Sequence, residues 1–432
     1  MSDPAAETVY TAGRVWTGER GGVVRDGAVV AVDGRIAYVG PAADAPVRAH
    51  ARRVDFGPDA TLLPGLIDCH VHLAGSRQYG WEAVPAYQRA ARAVADLGRL
   101  LRAGYTTVRD VGGAIALGLR EAVIEGSVAG PRVLAAGPIL SQTGGHADVH
   151  SLPLRWAMEQ EDAILADGPS AVRQAVRRIC RLNADLVKIC TTGGVGSEFD
   201  SPHDTHYTPE EVRAVVEEAH RLGRRVASHA QGADGVRMAV EAGVDTIEHG
   251  YYLDPAAVDA MAARGTVLVP TLVLARVYRE TLAAGTDMPA YRRRKQAEAM
   301  DAMAESVRLA LAAGVAIASG SDFVGAPGRE HGGNARDVVA LAEVGMGAEG
   351  ALLAATATAA RALGVDDQVG RLVVGLDADM AAFGPTSPLD SPAALLDGAL
   401  AVVQRGRLVF TSRAGALEPA PLTRLRPRRP AA

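Results

Sequence analysis

The sequence predicts an α/β fold: a (β/α)8 TIM barrel joined to a small β-rich unit that both ends of the chain build. Apolar strand-like runs alternate with amphipathic helical segments through the middle of the chain, whereas β-prone runs separated by turns lie at both ends. A chain of 432 residues with 48% hydrophobic side chains can form one large and one small domain. We expect a β-sandwich domain from 1–60 plus 366–415 and a barrel over 61–365.

The first sixty residues consist of short β-prone runs. Asp33-Gly34, between two apolar runs, is a strong signal for a two-residue hairpin. This unit is too short to bury a core of its own. Similar runs return at 370–383 and 401–410, which predicts that the two ends pair with each other.

The middle of the chain predicts parallel strands covered by helices. One helix shows conventional boundary signals, with Thr208 at the N-cap, Pro209 in the first turn and Gly223 after its end. No Gly-x-Gly-x-x-Gly dinucleotide-binding motif follows the early strands, which favours a barrel over an open doubly wound sheet. The predicted strands are 62–70, 106–111, 132–136, 186–190, 225–229, 246–249, 266–270 and 316–321.

Three stretches depart from the alternation. Segments 143–167 and 274–298 are longer than ordinary connections and rich in charge, so each is either a lid over a site or a solvated insertion without a role. The tail 416–432 is dominated by Arg and Pro and is expected to be disordered.

Composition narrows the class of partner. A net charge of -5 gives no reason to expect nucleic acid or an anionic membrane surface, so a small peptide or amide substrate fits better. The three scattered cysteines indicate buried thiols in a reducing compartment. We expect a cytoplasmic protein without a membrane partner, because no signal-peptide pattern or long apolar run is present, and we expect it to form a homo-oligomer.

Candidate functional residues lie at the carboxyl ends of the predicted strands, the face where parallel barrels hold their active sites. His70 and His72 end the first strand, and their spacing directs both imidazoles to the same side. By itself such a pair fits a metal site and the end of a buried strand equally well. Four further strand-end residues extend the cluster: Lys188, His229, His249 and Asp322.

Each of these residues has a structural explanation when taken alone. The Lys188 ammonium could extend out of a strand end, and Asp322 could cap the following helix. Together these explanations fail, because four of only 11 histidines fall on strand ends of an apolar barrel, where uncompensated polar groups are costly. Imidazole with carboxylate suits Zn or another first-row divalent metal rather than Mg or Ca.

The motifs resemble the amidohydrolase superfamily, metal-dependent hydrolases on a distorted (β/α)8 barrel with a small β domain made from both chain ends. The likeness runs from Leu63-Pro-Gly-Leu-Ile-Asp-Cys-His-Val-His to Gly375-Leu-Asp-Ala-Asp. It is closest to the binuclear branch of Xaa-Pro dipeptidases, arginine or lysine carboxypeptidases, ochratoxin amidase and imidazolonepropionase-like proteins. Four segments carry this closer likeness: Val187-Lys-Ile-Cys-Thr-Thr-Gly-Gly-Val, Val226-Ala-Ser-His-Ala-Gln-Gly, Gly243-Val-Asp-Thr-Ile-Glu-His-Gly and His331-Gly-Gly-Asn.

The resemblance implies two divalent metal ions, with zinc expected. The first would be held by His70, His72 and Asp322, the second by His229 and His249, and a carbamylated Lys188 would bridge them. A carbamate supplies negative charge where a lysine ammonium would be repelled by the cations. The presence of this lysine argues against a close likeness to the mononuclear relatives, which include true imidazolonepropionase and many deaminases.

The resemblance also implies a mechanism. A hydroxide between the two metals would attack the amide carbonyl, and Asp322 would act as general base and then general acid. His146 and Tyr251 would hydrogen-bond the scissile carbonyl or its oxyanion. His203 and His206 would contact substrate, although they fit an ordinary polar loop equally well. Clamps for a substrate carboxylate would come from Arg109, Arg329 and His331.

We therefore predict metal-dependent hydrolysis of an amide or peptide bond in a small peptide or N-acyl amino acid. Alternatives are a cyclic-amide hydrolase or deaminase, or an amidohydrolase that tailors modified peptides in secondary metabolism. A non-catalytic binding protein on a degenerate scaffold should have lost metal ligands, and the sequence retains all six. The substrate side chain is not encoded in any motif.

Overall fold

The computed structural model describes residues 7–75 and 84–430 and shows a mixed α/β fold with three sheets. Residues 1–6 of the predicted small domain and 431–432 of the tail lie outside this range. The strands are β1 (Glu7–Trp16), β2 (Val23–Val32), β3 (Arg35–Pro41), β4 (Arg52–Asp55), β5 (Thr61–Pro64), β6 (Leu66–Val71), β7 (Tyr105–Asp110), β8 (Arg132–Ala135), β9 (Ile139–Ser141), β10 (Ala163–Leu165), β11 (Leu186–Cys190), β12 (Arg225–Gly232), β13 (Thr246–Tyr252), β14 (Val267–Val269), β15 (Met380–Phe383), β16 (Ala401–Gln404) and β17 (Arg407–Thr411).

Helices follow most of the central strands and pack against them. They are α1 (Ala86–Arg102), α2 (Ile115–Glu125), α3 (Leu154–Met158), α4 (Pro169–Arg181), α5 (Pro209–Arg221), α6 (Ala233–Ala242), α7 (Pro255–Arg264), α8 (Val273–Ala283), α9 (Ala290–Ala312), α10 (Ala335–Leu341), α11 (Gly347–Ala354) and α12 (Ala357–Leu363). The boundary signals predicted for α5 are present, since the Thr208 side chain and Glu211 form a capping box.

One sheet joins the two ends of the chain. Its order is β17-β16-β15-β5-β1-β2-β3, with β4 paired to β1. The connection between the ends is the antiparallel pair β15–β5. The predicted hairpin is confirmed, because Asp33 and Gly34 have φ of 51° and 84° between β2 and β3, the left-handed values that such a turn requires.

The central strands form two parallel sheets, β6-β7-β8 and β10-β9-β11-β12-β13-β14. The single strand predicted over 62–70 is wrong, because the chain leaves the terminal sheet after β5 and enters the central sheet as β6. Gly65 lies at this break, and a Cβ there would come within 2.1 Å of Thr106 Oγ1. Only glycine allows so close an approach.

The eighth predicted strand, 316–321, forms one isolated bridge, from Ile317 to Leu268, rather than a ladder among the described residues. It nevertheless bonds to both neighbours. Leu268 N of β14 donates to Ala316 O at 2.9 Å, and Cys69 N of β6 donates to Ser319 O at 2.9 Å. Segment 316–323 therefore lies between β14 and β6 and brings Asp322 to the carboxyl end of β6.

The two predicted insertions contain regular structure. Segment 143–167 includes α3 and β10, and segment 274–298 is mostly α8 and α9. Among the described residues, no single helix has the length and apolar composition to span a membrane; the bent pair 335–354 and 357–363 meets that test only when its two parts are taken together.

The prediction of a disordered tail is wrong for its described part, which ends at 430. Leu422 and Leu425 are buried, and Leu422 N donates to Ile124 O at 2.9 Å. Arg424 pairs with Asp185 at 2.6 Å. The apolar and ion-pairing residues between the prolines hold the segment against the central part of the fold.

Candidate active site and metal centre

The structure brings the four strand-end histidines together. Their rings form a continuous chain in which His72 is 5.5 Å from His70, His70 is 4.9 Å from His249, and His249 is 4.6 Å from His229, measured between centroids. β12 and β13 are neighbours in one central sheet and β6 belongs to the other, so the cluster joins residues that are far apart in sequence.

One group of three residues has the arrangement of a metal site. Candidate ligand atoms of His70, His72 and Asp322 all lie within 4.8 Å of one another. His70 Nδ1 donates to Glu248 Oε2 at 2.7 Å, and His72 Nδ1 donates to Gly112 O at 3.2 Å. These bonds engage Nδ1 of both rings and leave Nε2 of both facing Asp322, at 3.5 Å from His70 and 3.4 Å from His72, so these are the nitrogens that would bind a metal.

The other two histidines are oriented in a similar way. His229 Nε2 donates to Gly193 O at 3.2 Å, and His249 Nδ1 lies 2.9 Å from Thr271 Oγ1. One nitrogen of each ring thus remains for another partner. Burial and the charge of neighbouring groups lower the pKa of both imidazoles well below the usual value, so both are neutral at pH 7.

Lys188 is the most informative member of the cluster. The residue is 3% exposed, and Nζ has no hydrogen-bond partner among the described residues. Burial lowers the pKa of this amine. Buried polar atoms are almost always satisfied, so an orphaned amine beside four imidazoles fits a site completed by a further group. A neutral amine is also the form that reacts with carbon dioxide, and the donor set therefore fits two metals and a carbamate.

Asp322 remains a carboxylate at neutral pH. Burial alone would raise its pKa, but the hydrogen bond from His72 and the attraction of the His70 and His249 rings, which are protonated at low pH, hold that pKa well below its usual range. Its backbone lies in the left-handed region with φ of 54°, as does that of His249 with φ of 77°. Such conformations are unfavourable and cluster at functional sites.

A buried network anchors the segment that carries Asp322. Asp68 accepts hydrogen bonds from Ser321 Oγ at 2.7 Å and from Asn334 Nδ2 at 2.7 Å. Asn334 belongs to the 331–334 motif, in which the sequence suggested a role only for His331. Asp322 N also donates to His70 O at 2.8 Å, so the two candidate ligands are held together through their main chains.

Arg109 is not placed to bind a substrate carboxylate, which corrects the prediction. Its guanidinium is buried behind His70, where Nη2 donates to Glu248 Oε1 at 2.7 Å and Nε donates to Cys69 O. Its donors are already engaged with protein acceptors. Glu248 in turn stays ionised, because the Arg109 charge and the His70 hydrogen bond overcome the effect of burial and lower its pKa.

His146 lies against the second pair of histidines. Its ring stacks on that of His229 at 3.9 Å between centroids, and Nδ1 lies 2.8 Å from Ser197 Oγ and 3.8 Å from Asp200 Oδ2. A Cβ on Gly194 would come within 2.3 Å of His146 Cε1, so the 193–200 loop packs tightly around this ring.

The 193–200 loop is tied to the second insertion by a lysine. Lys295 of α9 is 5% exposed and donates from Nζ to Gly194 O at 3.0 Å, to Ser197 O at 2.8 Å and to Asp200 O. Segment 274–298 therefore contributes directly to the support of the site.

The remaining candidates differ in their environments. Tyr251 is buried with its ring 5.3 Å from that of His249. His331 Nε2 donates to His72 O at 3.3 Å, and His206 is buried 4.0 Å from Asp200 Oδ2. His203 lies at the surface beside Tyr252, 4.5 Å between ring centroids. Arg329 sits in a turn in which its main chain bonds to 325 and 326.

Several supporting residues were not identified from the sequence, among them Glu248, Thr271, Asp200 and Lys295. Glu248 is a charged residue inside the apolar run of β13, and this position was a signal in the sequence that its carboxylate needs a partner. The partners themselves come from distant strands and helices, and no local pattern identifies them.

The fold and this cluster of imidazoles, carboxylate and buried amine define a hydrolase of the amide-cleaving class. The profile of the amidohydrolase family matches residues 61–409, and the chain belongs to that family. It is 32% identical over 403 residues to an ochratoxinase of Aspergillus niger, covering 88% of this chain and 82% of that protein.

Solved structures show the same relationship. A Xaa-Pro dipeptidase with bound methionine is 32% identical, with a TM-score of 0.85 over 93% of this chain and 99% of the other. A prolidase complexed with N-methylphosphonate-L-proline is 35% identical, with a TM-score of 0.86 over 94% and 100% of the two chains. The chain is therefore a hydrolase that acts on amide or related C–N bonds, as the sequence predicted.

Proposed function

We propose that this protein is a binuclear metal-dependent amidase or peptidase whose substrate is a small peptide or an N-acyl amino acid. The observation that carries the proposal is the orphaned amine of Lys188 among four inward-facing imidazoles. One ion would be held by His70, His72 and Asp322, and the other by His229 and His249. Carbamylated Lys188 would bind both ions. Zinc suits this mixture of imidazole and carboxylate ligands.

We propose that the two central sheets close into a distorted (β/α)8 barrel. The bonds from segment 316–323 to β14 and β6 support closure on one side. On the other side, Asp185 N, before β11, donates to Ala135 O of β8 at 2.9 Å. The predicted domains were 1–60 plus 366–415 and 61–365; because β5 pairs with β1 and β15 in the terminal sheet, we propose that the small domain extends to residue 64 and that the barrel begins at 65.

Asp322 would carry the proton transfers. When bound, the metal ions supply an activated water and polarise the scissile carbonyl. The Asp322 carboxylate is ionised at neutral pH, so it accepts a proton from the attacking water and later delivers it to the leaving nitrogen.

His146 and Tyr251 would bind the carbonyl oxygen as negative charge develops on it. Burial raises the pKa of Tyr251 well above 10, so its hydroxyl stays protonated and available to donate. The His146 ring is held by stacking on His229 and by the Ser197 contact at Nδ1, which directs Nε2 away from that partner. Preformed donors of this kind are effective because they need no reorganisation.

The relatives support the proposed substrate class. An ochratoxinase, a Xaa-Pro dipeptidase and a prolidase are all similar to this chain over most of its length. We propose that the chain cleaves an amide adjacent to a free carboxylate, with contacts from His331, Arg329, His203 and His206. The insertions 143–167 and 274–298 would border the substrate site. Cytoplasmic location and homo-oligomerisation stay predictions.

A substrate screen tests the proposal. Zinc-loaded protein would be assayed against Xaa-Pro and other dipeptides and against N-acyl amino acids, with release of the free amino acid as readout. We expect turnover of at least one class, and a loss on the order of 10²–10⁴-fold in Asp322→Asn. Asp301→Asn, at a position 99% exposed, is the matched control and should be unaffected. Full metal loading without turnover of either class would refute the proposal.

A further inference from the structure

Thr271 combines an unfavourable backbone with a central position in the site. It follows β14, is fully buried, and has φ of 49°. This left-handed conformation is disfavoured for β-branched residues, whereas glycine or asparagine adopts it readily. An unfavourable residue of this kind persists where the surrounding contacts over-determine it, and it points to a functional constraint.

The contacts of Thr271 supply such a constraint. Oγ1 lies 2.9 Å from His249 Nδ1 and 3.1 Å from the Tyr251 hydroxyl oxygen. One side chain therefore joins a candidate metal ligand to a candidate oxyanion donor. Tyr251 also shares a hydrogen bond with Tyr278 of α8, and Thr271 O accepts from Leu274 N at 3.0 Å as that helix begins.

The donor and acceptor roles are consistent along this chain of groups. A hydroxyl has one hydrogen and can also accept. If His249 Nδ1–H donates to Thr271 Oγ1, then Nε2 of His249 is the unprotonated nitrogen that faces the cluster. The Thr271 hydroxyl then donates to the Tyr251 oxygen, so the Tyr251 hydrogen is directed away from Thr271, on the side where Tyr278 shares a hydrogen bond with it. A residue without this hydroxyl can fill neither role.

We propose that Thr271 is a positioning residue, which selects the metal-binding tautomer of His249 and orients the Tyr251 hydroxyl through the same oxygen atom. The effect of Thr271 on catalysis rests on the proposed function. The structural part of the inference, the tautomer of His249, exists in the metal-free protein and can be measured independently.

Three variants distinguish the effect of the Thr271 hydroxyl from the effects of side-chain shape and backbone strain. Thr271→Val retains the β-branched shape and removes the hydroxyl, Thr271→Ser retains the hydroxyl, and Thr271→Gly removes the hydroxyl while accepting the left-handed backbone. The matched control is Thr266→Val. Thr266 lies just before β14, and the substitution removes a buried hydroxyl that donates to Val244 O.

The first readout is the tautomer of His249 in metal-free protein, from ¹⁵N NMR of labelled histidine. We expect wild type, Thr271→Ser and Thr266→Val to hold the proton on Nδ1, and Thr271→Val and Thr271→Gly to lose that preference. An unchanged tautomer in Thr271→Gly, the variant whose backbone is unstrained, would overturn the proposal whether or not the wild type proves active.

The second readout is zinc affinity against a competing chelator, with kcat and KM on the substrate found for the wild type. We expect Thr271→Val and Thr271→Gly to lose about 10–100-fold in affinity at one site, as for other residues that orient metal-binding histidines. We also expect kcat to fall with KM little changed, because Tyr251 contributes to the transition state. Thr271→Ser should recover both. Equal losses in Thr271→Ser and Thr271→Val would show that the hydroxyl is not responsible.

Discussion

Glu248 accepts a hydrogen bond from Nδ1 of His70 at 2.7 Å, with both side chains almost completely enclosed. The other carboxylate oxygen of Glu248 accepts from Arg109 at 2.7 Å. A buried charge pair thus stands directly behind the first candidate metal ligand, and it holds that ring in the orientation that presents Nε2.

Replacing this carboxylate should weaken the metal site and the fold together. In Glu248→Gln the Arg109 charge loses its counterion, and we expect the free energy of unfolding to fall by about 3–5 kcal/mol. We expect zinc affinity to fall by about 10–100-fold. Chelator competition and urea unfolding measure the two effects. Glu121→Gln, a surface partner of Arg120, is the control, and a Glu248→Gln protein with wild-type zinc affinity would contradict this role.

Carbamylation can be read directly because the chain has only two lysines, Lys188 and Lys295. The Lys295 ammonium is occupied by three main-chain oxygens, whereas Lys188 has no partner among the described residues. We therefore expect one carbamate signal in ¹³C NMR of zinc-loaded protein supplied with ¹³C-bicarbonate. The signal should vanish in Lys188→Ala, together with at least one zinc and the activity. A signal that survives in Lys188→Ala would refute the assignment.

Removing the Lys295 clamp should affect catalysis more than metal binding. Lys295→Met leaves the carbonyl oxygens of Gly194, Ser197 and Asp200 without their buried donor, so the loop that packs on His146 should loosen. We expect a lower kcat and lower stability with zinc content unchanged. The neighbouring Arg294→Met, 67% exposed, is the control and should resemble wild type. If Lys295→Met lost zinc but kept the wild-type kcat, the proposed role of Lys295 would be wrong.

Asp337 should make stability depend on pH. Burial raises its pKa to about 7, while its oxygens accept from Ser319 Oγ and from two main-chain amides. Because the folded protein holds the proton more tightly than the unfolded chain, this group favours folding at low pH. Its contribution is lost as pH rises from about 4 to 7, on the order of 4 kcal/mol.

The measurement is urea unfolding at pH 5 and pH 7 for wild type and Asp337→Asn. Other carboxylates with lowered pKa act in the opposite direction, so the difference between the two proteins is the relevant quantity. We expect wild type to lose more stability than Asp337→Asn between these pH values. A parallel pH dependence in both proteins would show that Asp337 does not titrate in this range.

Much of the candidate site followed from sequence because it depends on local periodicity. Alternation along a strand directs His70 and His72 to one side, and parallel strands bring their carboxyl ends to one face. That reasoning also placed His229 and His249 in the same cluster, and in the structure the His249 ring lies 4.9 Å from that of His70 and 4.6 Å from that of His229. The order of strands and helices was predictable for the same reason.

Side-chain partners were not predictable in this way. Arg109 was expected to bind substrate, yet it pairs with Glu248, a choice that depends on which distant strand lies beside it. The break at Gly65 arises from the close approach of Thr106, and the ordered tail arises from the burial of Leu422. Each outcome depends on contacts between segments far apart in the sequence.

The sequence by itself determined the parallel α/β framework and the identity of the clustered histidines, because these depend on residue type and spacing within single strands. The amide-hydrolase class came from the resemblance of its motifs to a known family. Only the tertiary structure decided that Lys188 lacks a partner among the described residues, that Glu248 stands behind His70, and that Thr271 adopts a left-handed backbone between His249 and Tyr251. Burial and long-range hydrogen bonding exist only after the strands have assembled.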